Sequence, residues 1–434
     1  MRLRAEPAAA LALLRVVVPA MLLVAPGYRE GARVAAWDPA RWSVPEGLHW
    51  FVRVLPISPA IATGAQVVVA FTALLAIAGI RARVALALMT LAAYYLYSIA
   101  QLTGFVWHDM HLLWLAALLA ASPCADVLAV DARRPWNVEG PEYAPPLWAA
   151  RMQLAAVYFF PGLHKLLSSG LGWALSDNLR NQMYWKWLEH GSIPSFRLDQ
   201  IPWLLPAGGL FVLAFELSFP VLVLFSRTRP WLAVAGLAFH LLSQAIFRIA
   251  FMSLWLCYVV LFDPRRLLGA LWFDRHPEKR REDLGATPAR FLLPIAALLL
   301  VGVVIQGARG QMRAYPFACY PTFEWRAKSE MPDLVLVAVR PDGREVDIPH
   351  AKNRRGYRTQ RQWGEVWSLA GVYGSTPKRR LTAYVNDVAR ARYAHALLQG
   401  ATALRAYRVY RSVLPEDRRA PPTRRTLLLE IPPP

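Results

Sequence analysis

The sequence predicts an all-α polytopic membrane bundle of about nine transmembrane helices with a small C-terminal α+β soluble domain. Three observations predict it. The composition is 56% hydrophobic and 12% aromatic, too apolar for an ordinary soluble domain. Apolar runs of about 20 residues, enough to cross roughly 30 Å of hydrocarbon, recur up to residue 307. From there the pattern changes to short alternating runs broken by turn residues. The chain therefore divides into a membrane domain, 1–307, and a cap, 308–434.

The first run, Pro7 to Pro26, follows Arg2 and Arg4 as a secretory leader would. Arg15 interrupts its centre and no small-x-small cleavage site follows, so it reads as a retained helix. The loop from Gly27 to Ser58 carries Trp37, Trp42, Trp50 and Phe51 among prolines, which suits the headgroup layer. Further spans are expected at 60–80, 84–103, 110–129, 147–166, 202–226, 229–247, 249–262 and 289–307. The run 110–129 is the weakest, because Ser122-Pro123 breaks it before Asp126. Gly172 to Gly191 is polar but Trp-rich and predicts an interfacial helix.

In the tail, Val335 to Arg340 and Arg344 to Ile348 flank Pro341-Asp342-Gly343 and predict a hairpin. Leu381 to Leu398 has helical spacing and ends at Gly400. Ala403 to Val413 and Thr426 to Ile431 read as two more strands.

Short loops orient the bundle. Arg81 and Arg83, Arg133 and Arg134, Arg227 and Arg229, and the cluster Arg275 to Arg281 share the side of the N-terminus. The positive-inside rule makes that side cytoplasmic in a cell membrane and, with nine spans, puts the cap outside. The formal charge of +20 does not indicate nucleic acid. It is dispersed beside spans, where anionic headgroups attract it, and no base-reading motif is present. Cys124, Cys257 and Cys319 are isolated, so neither a disulfide framework nor a metal site is suggested.

The candidate chemistry gathers at one depth. RMQLAAVYFFPGLHKL, from Arg151 to Leu166, ends in His164 and Lys165 just past a predicted break at Pro161-Gly162. Lys165 is either a snorkelling anchor or a base sheltered among Tyr158, Phe159 and Phe160. His108 and His111 share a helix face at the outer end of their span, and metal binding by that pair alone lacks carboxylate support. His240 lies in the outer half of its span, with Gln244 and Arg248 one and two turns above. Glu216 is expected deeper, paired with His240 or Arg15 if its role is structural. Together these residues imply a cavity open to the outer face. No G-x-S-x-G, Walker loop, G-x-G-x-x-G after a strand or H-E-x-x-H occurs, which leaves base chemistry inside the membrane.

Several runs carry a family resemblance: LALLRVVVP (Leu11 to Pro19), HLLWLAALLAASP (His111 to Pro123), VYFFPGLHKL (Val157 to Leu166), FELSFPVLVLF (Phe215 to Phe225) and FHLLSQAIFRIAFMSLWLCYVVLFDP (Phe239 to Pro264). In this order they resemble the horizontally transferred transmembrane (HTTM) domain family, related to vitamin K-dependent γ-glutamyl carboxylases. YPFACYPTF (Tyr315 to Phe323) is similar to the segment that follows this domain in bacterial members.

The resemblance implies that Lys165 is the base that deprotonates reduced vitamin K, with His111 in the same site. Oxygen would then give an epoxide through a strongly basic alkoxide, which removes a glutamate γ-proton before CO₂ adds. His164, His240, Tyr158 and Gln244 are the expected quinol-binding residues, with O₂ and CO₂ as co-substrates and no metal. Membrane lipids and a lipid-soluble quinol or peptide substrate are the expected partners, and nucleic acid is not. The chain departs from the carboxylases in having His164-Lys165 where they have two lysines, and Pro161 where a small residue is usual. Its tail is also much shorter, with no evident propeptide-binding domain, which argues against carboxylation of protein glutamates. The alternative is a non-catalytic protein of lipid or quinone binding, transport or assembly.

Overall fold

Runs of Ala, Leu and Val form the long helices, and proline, serine and glycine set their ends. The computed structural model describes residues 5–104, 109–249, 251–265, 291–310, 314–317, 324–350, 360–371, 376–391 and 393–434. The first run is longer than expected: α1 (Ala8–Val24) turns at Ala25 into α2 (Pro26–Ala35). Pro26 sits at the start of α2, where its missing N–H has no intrahelical role. A short helix, α3 (His49–Val54), leads to α4 (Pro59–Ala78). There Ser58 Oγ accepts the Ile61 N–H at 3.3 Å. Gly79, at φ 80°, closes α4 in the left-handed conformation, and α5 (Ala82–Ala100) returns antiparallel.

Next come α6 (Met110–Ala120), α7 (Ala144–Ser169), α8 (Gly172–Leu175) and α9 (Asn178–His190). The last two fill the Trp-rich segment that the sequence places at the interface. The bundle continues with α10 (Leu204–Leu222), α11 (Arg229–Phe247) and α12 (Met252–Trp255), which runs into a 3-10 turn to Leu261. The membrane domain ends with α13 (Leu292–Ala308).

The expected nine spans are not confirmed. Among the described residues, five helical stretches are long and apolar enough to cross a membrane: Ala8–Ala35, Pro59–Ala78, Ala82–Ala100, Leu204–Leu222 and Arg229–Phe247. The weak run stops at Ala120, before Ser122-Pro123, and the run at 249–262 gives only α12 and the 3-10 turn. Helix α13 is apolar but has 17 residues. Helix α7 has 26 residues, but Arg151, His164 and Lys165 dilute its apolar character. The chain is a membrane-embedded protein of several apolar helices; His108 and the cluster Arg275 to Arg281 lie outside the described residues.

At the N-terminal end a two-residue ladder, β1 (Glu6–Pro7) with β2 (Glu139–Gly140), lies beside an ion-pair cluster. Arg151 donates to both Glu6 oxygens at 2.6 and 2.7 Å and to the Val260 carbonyl at 2.7 Å. Arg229 reaches Glu6 at 3.4 Å. Arg15 donates elsewhere, to the Leu128 carbonyl at 2.5 Å, so it is not the partner of Glu216.

The cap packs on the opposite end. Its sheet has the order β4–β3–β5–β6, all antiparallel, from β3 (Glu330–Val339), β4 (Glu345–Ile348), β5 (Ala403–Ser412) and β6 (Arg424–Ile431). Leu334, Leu336 and Ala338 turn one face toward α14 (Gln360–Leu369) and α15 (Lys378–Ala389). The helix expected over 381–398 is split, because α15 ends at Ala389 and a separate turn, α16, spans His395–Leu398. Arg41 fastens the cap, donating to Glu365 and Asp387 at 2.7 Å each, with its guanidinium 3.8 Å from the Trp37 ring centroid.

Candidate functional site

A cavity of about 660 Å³ lies at the cap end of the bundle, bounded by the α1–α2 turn, α7, α8, α9, α10, α11 and α12. Its wall is mostly apolar, with a few polar groups that converge from different helices, as ligand sites generally are. Helix α7 runs along one side and presents Tyr158, Pro161 and Lys165. Tyr158 and Lys165 are seven residues apart, about two turns, so both face the same way. The helix continues through Pro161, and the break expected there does not occur. Instead Gly162 lets α10 come close: a Cβ at this position would sit 2.7 Å from Glu216 Cβ.

That approach makes the central contact. Lys165 Nζ donates to both Glu216 oxygens, at 2.5 and 2.7 Å, and both residues are only 4% exposed. Glu216 thus lies level with Lys165, not deeper, and pairs with neither of the partners expected for it. The indole of Trp173, from α8, lies over the amine with its centroid 5.0 Å from Nζ. Lys165 is therefore not a snorkelling anchor. Its charge is sheltered, matched and covered.

A second polar group lies farther along α7. Tyr158 Oη is hydrogen-bonded to His240 Nε2 at 2.6 Å and, in a short contact, to Tyr258 Oη. Its ring stacks on Phe219 at 4.6 Å and meets Phe215 edge-on. Gly236 leaves room for Tyr258, whose hydroxyl would lie 2.3 Å from a Cβ there. His240 Nδ1 is buried without a hydrogen-bond partner among the described residues. A third polar point is Asp109, which lines the cavity and accepts from Ser253 Oγ at 3.0 Å.

The other expected residues, Arg248 apart, fall outside the cavity wall. His111 is buried one layer behind, its Nε2 bonded to the Ser253 carbonyl at 3.0 Å, so it supports the loop that carries Ser253. His164 turns toward α13, with Nε2 bonded to the Gly307 carbonyl at 2.7 Å. One residue along a helix rotates the side chain by about 100°, which separates it from Lys165. Gln244 is exposed on the outer surface of α11, and Arg248 stands at the cavity rim. Among the described residues no three His, Cys, Asp or Glu converge as metal ligands.

The HTTM domain family matches residues 3–264, more than half of the chain and all of the helices that build this cavity. The chain belongs to the HTTM domain family. No curated protein and no solved structure matches it. The HTTM match covers Lys165, Glu216, Tyr158, His240 and Tyr258 and stops before α13 and the cap.

Sequence reasoning missed Trp173 and Asp109 on the cavity wall and Tyr258 behind it, bonded to Tyr158. Tyr258 sits in an apolar run where a tyrosine reads as packing, and Trp173 reads as an interfacial anchor. The usable signal was electrostatic: Lys165 and Glu216 are oppositely charged, and both lie in apolar runs without a partner in their own helix.

Proposed function

We propose that this HTTM protein binds a lipid-soluble quinol in the cavity and uses the Lys165–Glu216 pair to take a proton from it. The observation that carries this reading is a buried amine, gripped by a carboxylate, on the wall of an apolar cavity within the membrane domain. The residues present fit such a molecule: apolar walls suit its tail, and polar groups at two levels of α7 suit two ring hydroxyls. The unpartnered His240 Nδ1 is a buried polar atom with hydrogen-bonding capacity to spare.

Lys165 and Glu216 work together. A proton shifted from Nζ to Oε1 along the 2.5 Å bond leaves an amine lone pair that can accept a hydroxyl proton. Trp173 excludes water above the amine, and Gly162 keeps the carboxylate within reach. Tyr158 and His240 orient the far side of the ring, with Tyr258 fixing the direction of the Tyr158 hydroxyl. A bound quinol would supply reducing equivalents for reaction with oxygen, the epoxidation that the likeness to vitamin K-dependent carboxylases suggests. The orientation that goes with this reading puts the N-terminus in the cytoplasm and the cap outside the cell.

One observation favours a second reading, a quinone- or lipid-binding protein without turnover. Both Glu216 oxygens hold the amine, which keeps Nζ committed to the carboxylate instead of free to accept a substrate proton. Occupancy is tested by a photoactivatable quinone in membranes, with cross-linked peptides mapped by mass spectrometry. Labelling on α7, α10 and α11 that a plain quinone suppresses supports the site under both readings. Labelling spread over the lipid-facing surface, without competition, overturns it.

A further inference from the structure

The roof of the cavity is built from α8 and α9, which contribute Trp173, Leu179 and Gln182 to its wall. What fastens this roof from above is a short extended piece of the tail, Glu324 to Lys328. Its bonds run between roof side chains and tail backbone. Asn178 Oδ1 accepts the Ala327 N–H at 2.8 Å, and Asn181 Nδ2 donates to the Ala327 carbonyl at 2.9 Å. Trp185 Nε1 donates to the Lys328 carbonyl at 2.8 Å, and Ser168 Oγ, at the end of α7, donates to the Glu324 carbonyl at 2.6 Å. Asn178, Asn181 and Trp185 recur at helical spacing, so one face of α9 reads the main chain of the strap.

The strap leads directly into β3, whose Met331 joins Val413 against Trp173, Met183, Trp187 and Leu213. Cap, strap and roof are therefore one mechanical unit. The tie inside the roof is Asn178, whose Nδ2 donates to the Trp173 carbonyl at 2.9 Å. A shift of the strap is passed to the residue that covers Lys165.

We propose that Trp173 is a positioning residue for Lys165, and that the cap sets its place through the Glu324–Lys328 strap, which gates aqueous access to the amine. The inference rests on the reading of Lys165 as the working group, but its test does not depend on turnover. With the strap docked, the indole lies over the amine and polar solutes are excluded from the outer side. With the strap released, α9 loses three hydrogen bonds to the tail and the end of α7 loses one, and the roof can lift. A lipid-soluble substrate meets the cavity through its apolar wall, whereas a polar reactant needs the roof to open.

The test is the accessibility of a cysteine placed at Ser243, a cavity-lining position outside the proton-handling pair. It is read with a charged methanethiosulfonate reagent and assigned by mass spectrometry. Asn181→Ala combined with Trp185→Phe removes two strap anchors at half-buried roof positions. Each lost hydrogen bond shifts the opening equilibrium several-fold, so labelling of S243C should rise by about tenfold or more. Trp173→Leu should raise it with the strap intact, and Trp173→Phe should restore slow labelling. Size-exclusion profiles and unchanged hydrogen exchange in α4 and α5 check that the variants are folded. Equal labelling rates in folded wild type, anchor variant and W173L overturn the proposal. If quinone cross-linking fails but these rates differ, the gate stands and only the substrate assignment falls.

Discussion

Lys165 and Glu216 form a buried pair on the cavity wall, and this makes a sharp energetic prediction. Each side chain is 5% exposed, and the amine touches both carboxylate oxygens. Replacing Lys165 by Met leaves a buried carboxylate without its cation, and replacing Glu216 by Leu leaves a buried ammonium. Losing one partner of such a pair costs about 3–5 kcal/mol, because the survivor keeps its desolvation penalty without the attraction that offset it. Replacing both removes penalty and attraction together, so K165M/E216L should lie within roughly 1 kcal/mol of wild type or above it. Unfolding in detergent, followed by denaturant or by the loss of monodispersity on heating, gives the four corners of the cycle. The double variant should be more stable than either single variant by about 3 kcal/mol. If each single substitution costs less than 1 kcal/mol, or the two losses simply add, the buried ion pair is refuted, and with it the base assigned to the site.

Three further outcomes follow from named contacts. Gly162→Val puts side-chain carbon where Glu216 Cβ stands 2.7 Å away, so α7 and α10 must part at a cost of about 1–3 kcal/mol, seen as a lower melting temperature. Arg41→Ala removes the partner of Glu365 and Asp387 and should loosen cap docking by about 3 kcal/mol, read as faster proteolysis in the cap while the membrane domain stays intact. In the loop after α9, Asp199 accepts from Arg197 at 2.6 and 2.8 Å, and these bonds, against the opposing effect of burial, hold its carboxyl below the usual aspartate range. A depressed folded-state value means that this stability is complete above the ordinary aspartate range and is lost as pH falls through the folded value. Melting temperature against pH should therefore drop more steeply on the acid side in wild type than in Asp199→Asn, and superimposable curves would contradict the assignment.

The sequence brought Lys165 and His240 toward one cavity because helical spacing and span ends are local properties, although they stand at two levels of its wall. Pairing was not local. Glu216 meets Lys165 only because Gly162 sets how closely α10 approaches α7, and no single run encodes that distance. Gln244 was misread because polarity does not fix a helix face inside a membrane domain: it lies on the exposed side of α11 while Ser243, its neighbour, lines the cavity. His164 was drawn into the site by adjacency to Lys165, although neighbours on a helix diverge. His111 is close in chain terms to Asp109, yet Asp109 reaches the cavity and His111 holds the carbonyl of Ser253 behind it. In the cap, strand positions follow alternation and turn chemistry and are readable from the chain. The use of Glu324 to Lys328 as a roof fastening depends on tertiary contacts and is not.

The central claim is most directly tested by incubating the purified protein with reduced vitamin K and oxygen and measuring the epoxide by mass spectrometry, with wild type beside the K165M/E216L double variant. Epoxide from the wild-type protein and none from the folded double variant is the predicted result. Equal yields from the two, or no epoxide from wild type while the photoactivatable quinone still labels the cavity, would contradict the catalytic role given to the pair.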